Sequence, residues 1–578
     1  MAKMDLKCFP EDMSALPVDP TDLGRTLVDG CFKQSVEVQG QKREFITYIP
    51  EKTASCSPCL VVAPPSGEDG LEYIERSGLK EFADEKKLFL FVMIPENAAW
   101  NLSGADADFM NAVYVEAQAR DYYVTMQDNF YACGIGDGAD VAQQAACRMS
   151  SEWSGLMTMG DMQTSLEEIT LNKEAAGMGD GELQIAAERT QLPVWMVVSR
   201  WEGASVSAAS WWRANNRSGE EVFSTKDADY IWMPAPIRQT LEMDEEMIAQ
   251  VRVTVGDTAC SLARLEQMWS YIGLARRHRG QERKNLRYFK DPLLCGAVRK
   301  TMEVDGLTRE WYEYVPKCCT PDQKWPVVVV MHGRGGTAET FFDISNMYQV
   351  ANRRKFIVAC PQAGVYQQKK GGLRNVASWS GSLDGKSIDD IRFIRTMLED
   401  MEKRLPVDKG RIYACGQSSG GMMADTLCEF AGELFAATVS WSGLYTPARS
   451  TVRGERSLDA PPSAMIFGEK DRLTAGTAQI PDVPFTISET FKDMIEEKFR
   501  RYQLDKSRVQ IWRDDPITWY CYPDSQGVPM FTVGIVDHMV HANYPEESWI
   551  SYDQFFCNFC RDEDGKVCYR GRRIGENN

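Results

Sequence analysis

The chain has 578 residues, 43% of them apolar and 26% charged, with a formal net charge of −18. That length exceeds one ordinary hydrophobic core and predicts two domains, and the acidic balance argues against a nucleic-acid or anionic-membrane surface. No apolar run reaches the ~18–20 residues of a membrane span, and Met1–Pro10 lacks the apolar core of a signal peptide. The 17 cysteines, several of them inside apolar runs (Cys133, Cys360, Cys415, Cys428), read as reduced thiols of a cytoplasmic protein. Cys56/Cys59 and Cys557/Cys560 have neither a second pair nor a histidine at finger spacing, so neither a metal nor a cofactor is expected.

Taken from the N-terminus, the chain repeats itself. Val36–Pro50 parallels Met302–Pro316, and Pro58–Gly67 parallels Pro326–Gly335. Lys87–Pro95 parallels Lys355–Pro361 after a small gap, and Tyr131–Gly138 parallels Tyr413–Gly420. Matched blocks in one order predict two homologous domains, 1–285 and 286–578, meeting near the basic stretch Ala275–Gly280. Short apolar runs such as Val327–Met331, Phe356–Ala359, Ile412–Cys415 and Ala464–Phe467 suit buried parallel strands. Helix-length segments lie between them, for example Ile388–Arg404 with Asp389 and Asp390 as capping acids. This alternation predicts an α/β fold in which each domain is a mostly parallel sheet flanked by helices, with reactive groups at the carboxyl ends of the strands.

Gly416-Gln-Ser-Ser-Gly420 is a G-x-S-x-G between an apolar run and a helix-compatible stretch, the context of a nucleophile elbow. Ser418 is the candidate nucleophile, and glycine is expected on either side because side chains there collide across the turn. The chain has only four histidines, His278, His332, His538 and His541. The order Ser, acid, His leaves the last two as bases. His541, in a loop before the helix-like Ser548–Phe559, is preferred over His538, which follows Asp537 directly. Asp471 ends the strand-like Ala464–Phe467 in a Gly-x-x-Asp turn and is the candidate acid, with Glu469 and Asp537 behind it. Oxyanion donors are sought in the amide of Ser419 and in the loop His332–Gly336, with Arg334 first and Gly333 next. His332 is read as a brace for that loop.

The second domain resembles the esterase family that includes polyhydroxybutyrate depolymerases and feruloyl and acetylxylan esterases. The resemblance covers about residues 300–560 and rests on Val327–Gly336, Ala359–Gln362, Trp379, Ile388–Ile394, the Ser418 elbow through Ala424, Leu434–Ala437 and the segments of Asp471 and His541. It implies tandem α/β-hydrolase-like domains and carboxylic-ester hydrolysis through an acyl-enzyme, on a small-molecule or oligomeric ester. Trp379 and Arg334 then face the substrate, and a charge at Arg334 is able to select acidic or polar esters.

In the first domain Gly136 stands where Ser418 stands, Pro64-Pro-Ser-Gly67 replaces the His332 loop, and the sole histidine is His278. Glu202 occupies the acid position. That domain is expected to be catalytically silent: a scaffold, a cleft wall, or an interface for a homo-oligomer. Its Ser210–Arg213 and Tyr230–Trp232 aromatics are read as core or interface in preference to a ligand platform. Two other functional readings stay open. An acyltransferase or amidase/peptidase uses the same triad, and a non-catalytic binding protein needs none of it.

Overall fold

The apolar runs become buried strands. In a computed structural model, Val327–Val330 forms part of the fully buried strand Trp325–Met331, and its side chains alternate between two cores. Val328 and Val330 pack with Phe341, Phe342, Met347 and Val350 on one face. Val327 and Val329 pack with Phe393, Ile394, Met397 and Leu398 on the other. This period of two is why the strand reads as a continuous hydrophobic run: both faces of its sheet are covered by helices. The structure describes residues 4–11, 16, 25–118, 122–126, 128–168, 190–235, 247–277, 286–368, 374–379, 382–383, 386–452 and 454–575.

The chain divides into two compact units, one holding Arg25–Phe289 and the other Lys290–Asn578. The first contains strands β1 (Leu6–Lys7), β2 (Gly30–Val38), β3 (Gln41–Ile49), β4 (Cys59–Ala63), β5 (Phe89–Met93), β6 (Phe130–Ile135), β7 (Gly155–Met159), β8 (Val194–Val198), β9 (Tyr230–Trp232) and β10 (Val251–Val255). They form one sheet in the order β1-β2-β3-β5-β4-β6-β7-β8-β10-β9. The second unit contains β11 (Val298–Val304), β12 (Leu307–Tyr314), β13 (Trp325–Met331), β14 (Ile357–Pro361), β15 (Val407–Gln417), β16 (Ala437–Trp441), β17 (Ser463–Gly468), β18 (Gln510–Asp514), β19 (Ile517–Pro523) and β20 (Pro529–Val536). Their order is β11-β12-β14-β13-β15-β16-β17-β20-β19-β18.

From β2 and from β11 onward, nine strands follow one another in the same order in the two sheets, and the registers correspond. Leu60 pairs with Tyr131 in one sheet and Val328 with Tyr413 in the other. In the second sheet the strands from β14 to β20 are parallel neighbours, and antiparallel hairpins close both edges. The architecture is thus two α/β-hydrolase-like sheets flanked by helices. Among the described residues no helix is long and apolar enough to cross a membrane.

The basic stretch read near the boundary is partly folded into a strand pair. Ala275–Arg277 pairs with Leu286–Tyr288 as a short antiparallel ribbon inside the first unit. Arg277 is buried and donates to the carbonyls of Trp153 and Gln191, each at 2.8 Å. Arg287 is buried against Asp128 at 2.5 Å. These guanidiniums satisfy backbone carbonyls and a carboxylate that would otherwise be buried without donors. His278 lies outside the described residues. The tryptophan-rich segment also packs inward: Trp212 is buried and donates to Gln143 Oε1 at 2.6 Å, while Trp201, Tyr230 and Trp232 stack in sequence.

Candidate active site

β15 ends in a sharp turn at Ser418, and helix α5 (Ser419–Phe430) starts on the next residue. Ser418 holds φ +57° and ψ −115°, a conformation costly for any residue with a Cβ. Two features over-determine it. Its amide donates to Trp441 O at 2.8 Å, and its carbonyl accepts from Met422 N at 2.8 Å. The flanking glycines answer chiefly to a neighbouring strand: a Cβ on Gly416 or Gly420 would lie 2.5 or 2.1 Å from Met331 O at the end of β13. The clash across the turn itself is secondary, with Gly416 meeting Gly420 O at 2.7 Å.

The structure brings Ser418, His541 and Asp471 together from three carboxyl-end segments. His541 Nε2 lies 2.8 Å from Ser418 Oγ, and His541 Nδ1 lies 2.9 and 3.0 Å from the two Asp471 carboxylate oxygens. Asp471 is wholly buried, whereas the His541 ring is about one-third exposed. The turns are clamped to each other, because Lys470 N donates to Met539 O and Glu469 N donates to Val536 O, both at 2.8 Å. Burial alone raises a carboxyl pKa. At Asp471 the bonds from His541 and from the Leu473 amide outweigh it and hold the pKa below the ordinary carboxylate value. Asp471 is thus an anion that orients Nδ1–H, leaving Nε2 as the proton acceptor facing the hydroxyl.

The alternatives are placed elsewhere. His538 is exposed, and its amide and ring face Glu469. Asp537 pairs with Arg513. Gln417, which motif reading left aside, brings its Nε2 to 3.4 Å from His541 Nε2. Its variable position within G-x-S-x-G gave no signal of this.

The loop after β13 passes over the nucleophile. A Cβ on Gly333 would sit 2.5 Å from Gln417 Oε1, the movable end of a long side chain, and 3.5 Å from the Ser418 Cβ, so the loop backbone runs close over the nucleophile. The amides of Gly335 and Gly336 are committed to Ala377 O at 2.7 Å and Gly333 O at 3.1 Å. The loop approaches Ser418 through Gly333, and the Arg334 side chain is exposed. Ser419 opens α5, where amides lack intrahelical acceptors.

His332 braces this loop. Its Nε2 accepts from Ala363 N at 3.0 Å and is approached by Gln362 Nε2 at 3.1 Å, which leaves Nδ1–H to donate to Gly333 O at 2.7 Å. Burial among donors pushes its pKa down to about 4. The folded state keeps this ring neutral, while the unfolded chain protonates it below about pH 6.5. Its contribution is therefore complete above pH 6.5 and is lost as the pH falls toward 4. Urea unfolding between pH 7 and pH 4.5 is expected to show a loss on the order of 3 kcal/mol from this group, and His332→Gln is expected to flatten that slope.

Trp379, which the sequence reading turned toward substrate, is 4% exposed and donates from Nε1 to His332 O at 2.8 Å. The first unit repeats the contact at the matching position, where Trp100 Nε1 donates to Pro64 O at 2.6 Å. An indole conserved in geometry where no histidine loop exists is a loop brace, and this corrects the open substrate wall expected of Trp379.

The nucleophile helix is anchored from behind. The buried Lys498, on α6 (Glu489–Arg501), lies 2.5 Å from Asp425 and 2.8 Å from Glu429 on α5. Asp425 also accepts from the Tyr445 amide at 2.9 Å. Asp425, Cys428 and Glu429 cluster closely enough to suit a cation, and the lysine ammonium is the cation among them. Burial opposes that ammonium, but the two carboxylates outweigh it and hold its pKa well above the ordinary lysine value.

The first unit keeps the frame without these side chains. Gly136 has φ +60° and donates to Met159 O at 2.8 Å, as Ser418 does to Trp441. Gly138 meets Ala63 O as Gly420 meets Met331 O. Pro65 lies where Gly333 lies, 3.1 Å from a Cβ built on Gly136. Glu202 is exposed and pairs with Arg200 at 3.2 Å.

Residues 318–506 match the model of the phospholipase/carboxylesterase family, a span holding Ser418 and Asp471 but ending before His541. The chain is 28% identical over 202 residues to feruloyl esterase B of Neurospora crassa, covering 35% of this chain and 61% of that protein. It is 32% identical over 133 residues to a probable acetylxylan esterase A of Neosartorya fischeri, covering 23% and 34%. The alignments thus span between about a third and three fifths of these relatives. Among solved structures, an acetyl xylan esterase from Aspergillus awamori aligns with 14% identity and a TM-score of 0.32, covering 45% of this chain and 99% of that one. Part of the second unit is thus similar in sequence to feruloyl and acetylxylan esterases, and its sheet and elbow have the α/β-hydrolase arrangement.

Proposed function

We propose that the second unit is a serine carboxylic-ester hydrolase. The observation that carries this reading is the continuous hydrogen-bonded line from Ser418 Oγ through His541 to Asp471, at 2.8 and 2.9 Å. Ser418 Oγ attacks the ester carbonyl while His541 Nε2 takes its proton, and the amides of Ser419 and Arg334 receive the oxyanion. Collapse expels the alcohol, protonated by His541, and leaves an acyl-Ser418. Water, deprotonated by His541, then releases the acid and restores the hydroxyl. Asp471 holds the imidazole in its working tautomer throughout and balances the imidazolium.

The related feruloyl and acetylxylan esterases direct the first substrate panel to hydroxycinnamoyl and acetyl esters of small or oligomeric alcohols. Buried unpaired thiols such as Cys133, Cys360 and Cys415 support a reducing, cytoplasmic setting. The first unit is read as a hydrolase-like copy without catalysis, since Gly136 supplies the elbow backbone and no hydroxyl. Incubation with a fluorophosphonate followed by peptide mass mapping tests the proposal. One adduct is expected, on Ser418 and absent from the first unit; an unlabelled Ser418 in protein that binds esters would overturn it.

A further inference from the structure

The second unit holds a cavity that the triad does not use. It has a volume of about 250 Å³ and lies between the sheet and the C-terminal segment, with Ile466, Trp519 and Phe555 in its walls. For scale, a ~150 Å³ apolar cavity accommodates benzene. Neither Ser418, Asp471 nor His541 contributes to the lining.

Three features of the lining point to one ligand chemistry. First, it is aromatic and partly open: Trp512, 43% exposed, stacks on the buried Trp519 with ring centroids 6.0 Å apart and planes 17° from parallel. An exposed indole beside an apolar slot is a stacking platform for a flat ring. Second, the Trp519 indole N–H is buried and meets no acceptor among the described residues, a cost a bound acceptor would relieve. Third, the lining includes Arg570, an exposed guanidinium held by its Nε bond to Asn558 Oδ1 at 3.0 Å. No carboxylate of the described residues pairs with it, although the chain carries a net charge of −18. Its position is set by the positive φ of +47° at Arg570 itself and by its stacking over Tyr569 at 5.1 Å.

We propose that this cavity is a binding site for a planar aromatic monocarboxylate. Its ring would lie in the cavity against the stacked Trp512–Trp519 pair, and its carboxylate would meet Arg570. The site is joined to the nucleophile by a short relay: Ser551, in the lining, accepts from Trp441 Nε1 at 3.0 Å, and Trp441 O holds the Ser418 amide. The proposal does not depend on the chemistry assigned to Ser418.

The test is calorimetric titration of the full-length Ser418→Ala protein with 2-naphthoate, and with neutral 2-naphthamide as the uncharged control. One saturable equivalent of naphthoate is expected. Arg570→Ala should weaken naphthoate about ten-fold, the scale of a charge-assisted bond, while leaving naphthamide within two-fold. Ala464→Phe, filling the cavity from its sheet wall, should abolish binding of both. Should that variant not fold, Trp512→Ala at the exposed rim is expected to weaken both probes several-fold. Absence of saturable binding, or affinities unchanged by Arg570→Ala and by the cavity or rim variant, would overturn the proposal and place the probe elsewhere.

Discussion

Ser418→Ala is expected to lower kcat for aryl esters by about 10⁵–10⁶-fold, and His541→Ala by a similar factor, with the double variant little worse than either. The reason is geometric. The 2.8 Å Ser418–His541 bond makes the two groups one functional unit, so removing either removes the same proton-coupled attack. Asp471→Asn should cost about 10⁴-fold, because an amide permits the wrong imidazole tautomer. His538→Ala is the internal control. That ring is exposed and turned toward Glu469, so its loss is expected to leave kcat within two-fold. Steady-state kinetics on purified variants with matched circular dichroism decides the matter. Turnover that survives His541→Ala but fails in His538→Ala would reverse the assignment.

Lys498→Met is expected to destabilise the second unit by about 3–5 kcal/mol. Lys498 is 2% exposed and bonds Asp425 and Glu429 at 2.5 and 2.8 Å. Methionine fills the space but strands carboxylates. Glu429 keeps Arg501 at 2.7 Å, so the uncompensated charge falls on Asp425. Adding Asp425→Asn should therefore recover much of the loss, since an amide still accepts the Tyr445 N–H without a buried charge. Urea denaturation of the three proteins, followed by a probe in the second unit, measures this. A loss under about 1 kcal/mol, or a double variant less stable than Lys498→Met alone, would show that the cluster does not anchor α5.

The residues of the site were legible because each carries a local signature. Ser418 has its glycines, Asp471 its strand-ending turn, and His541 is one of only four histidines in the chain. The matched blocks implied two units of one architecture, whereas the order of strands within each sheet was read only from the structure. What misled was solvent exposure. Arg277 read only as part of a basic stretch near the domain boundary, yet burial beside backbone carbonyls makes it structural. Trp379 read as a substrate wall, yet its N–H serves His332 O.

The sequence by itself determined the alternation of strand and helix, the doubled blocks, and which half carries a serine, an acid and a histidine in order. These are properties of spacing and residue type, and local chemistry transmits them directly. Only the tertiary structure placed His541, and not His538 three residues before it, between Ser418 and Asp471. It also decided that Met331 O, on the neighbouring strand, is what excludes a side chain at Gly416 and Gly420. Both outcomes depend on contacts between segments far apart in the chain, which exist only once β13, β15, β16, β17 and β20 stand side by side.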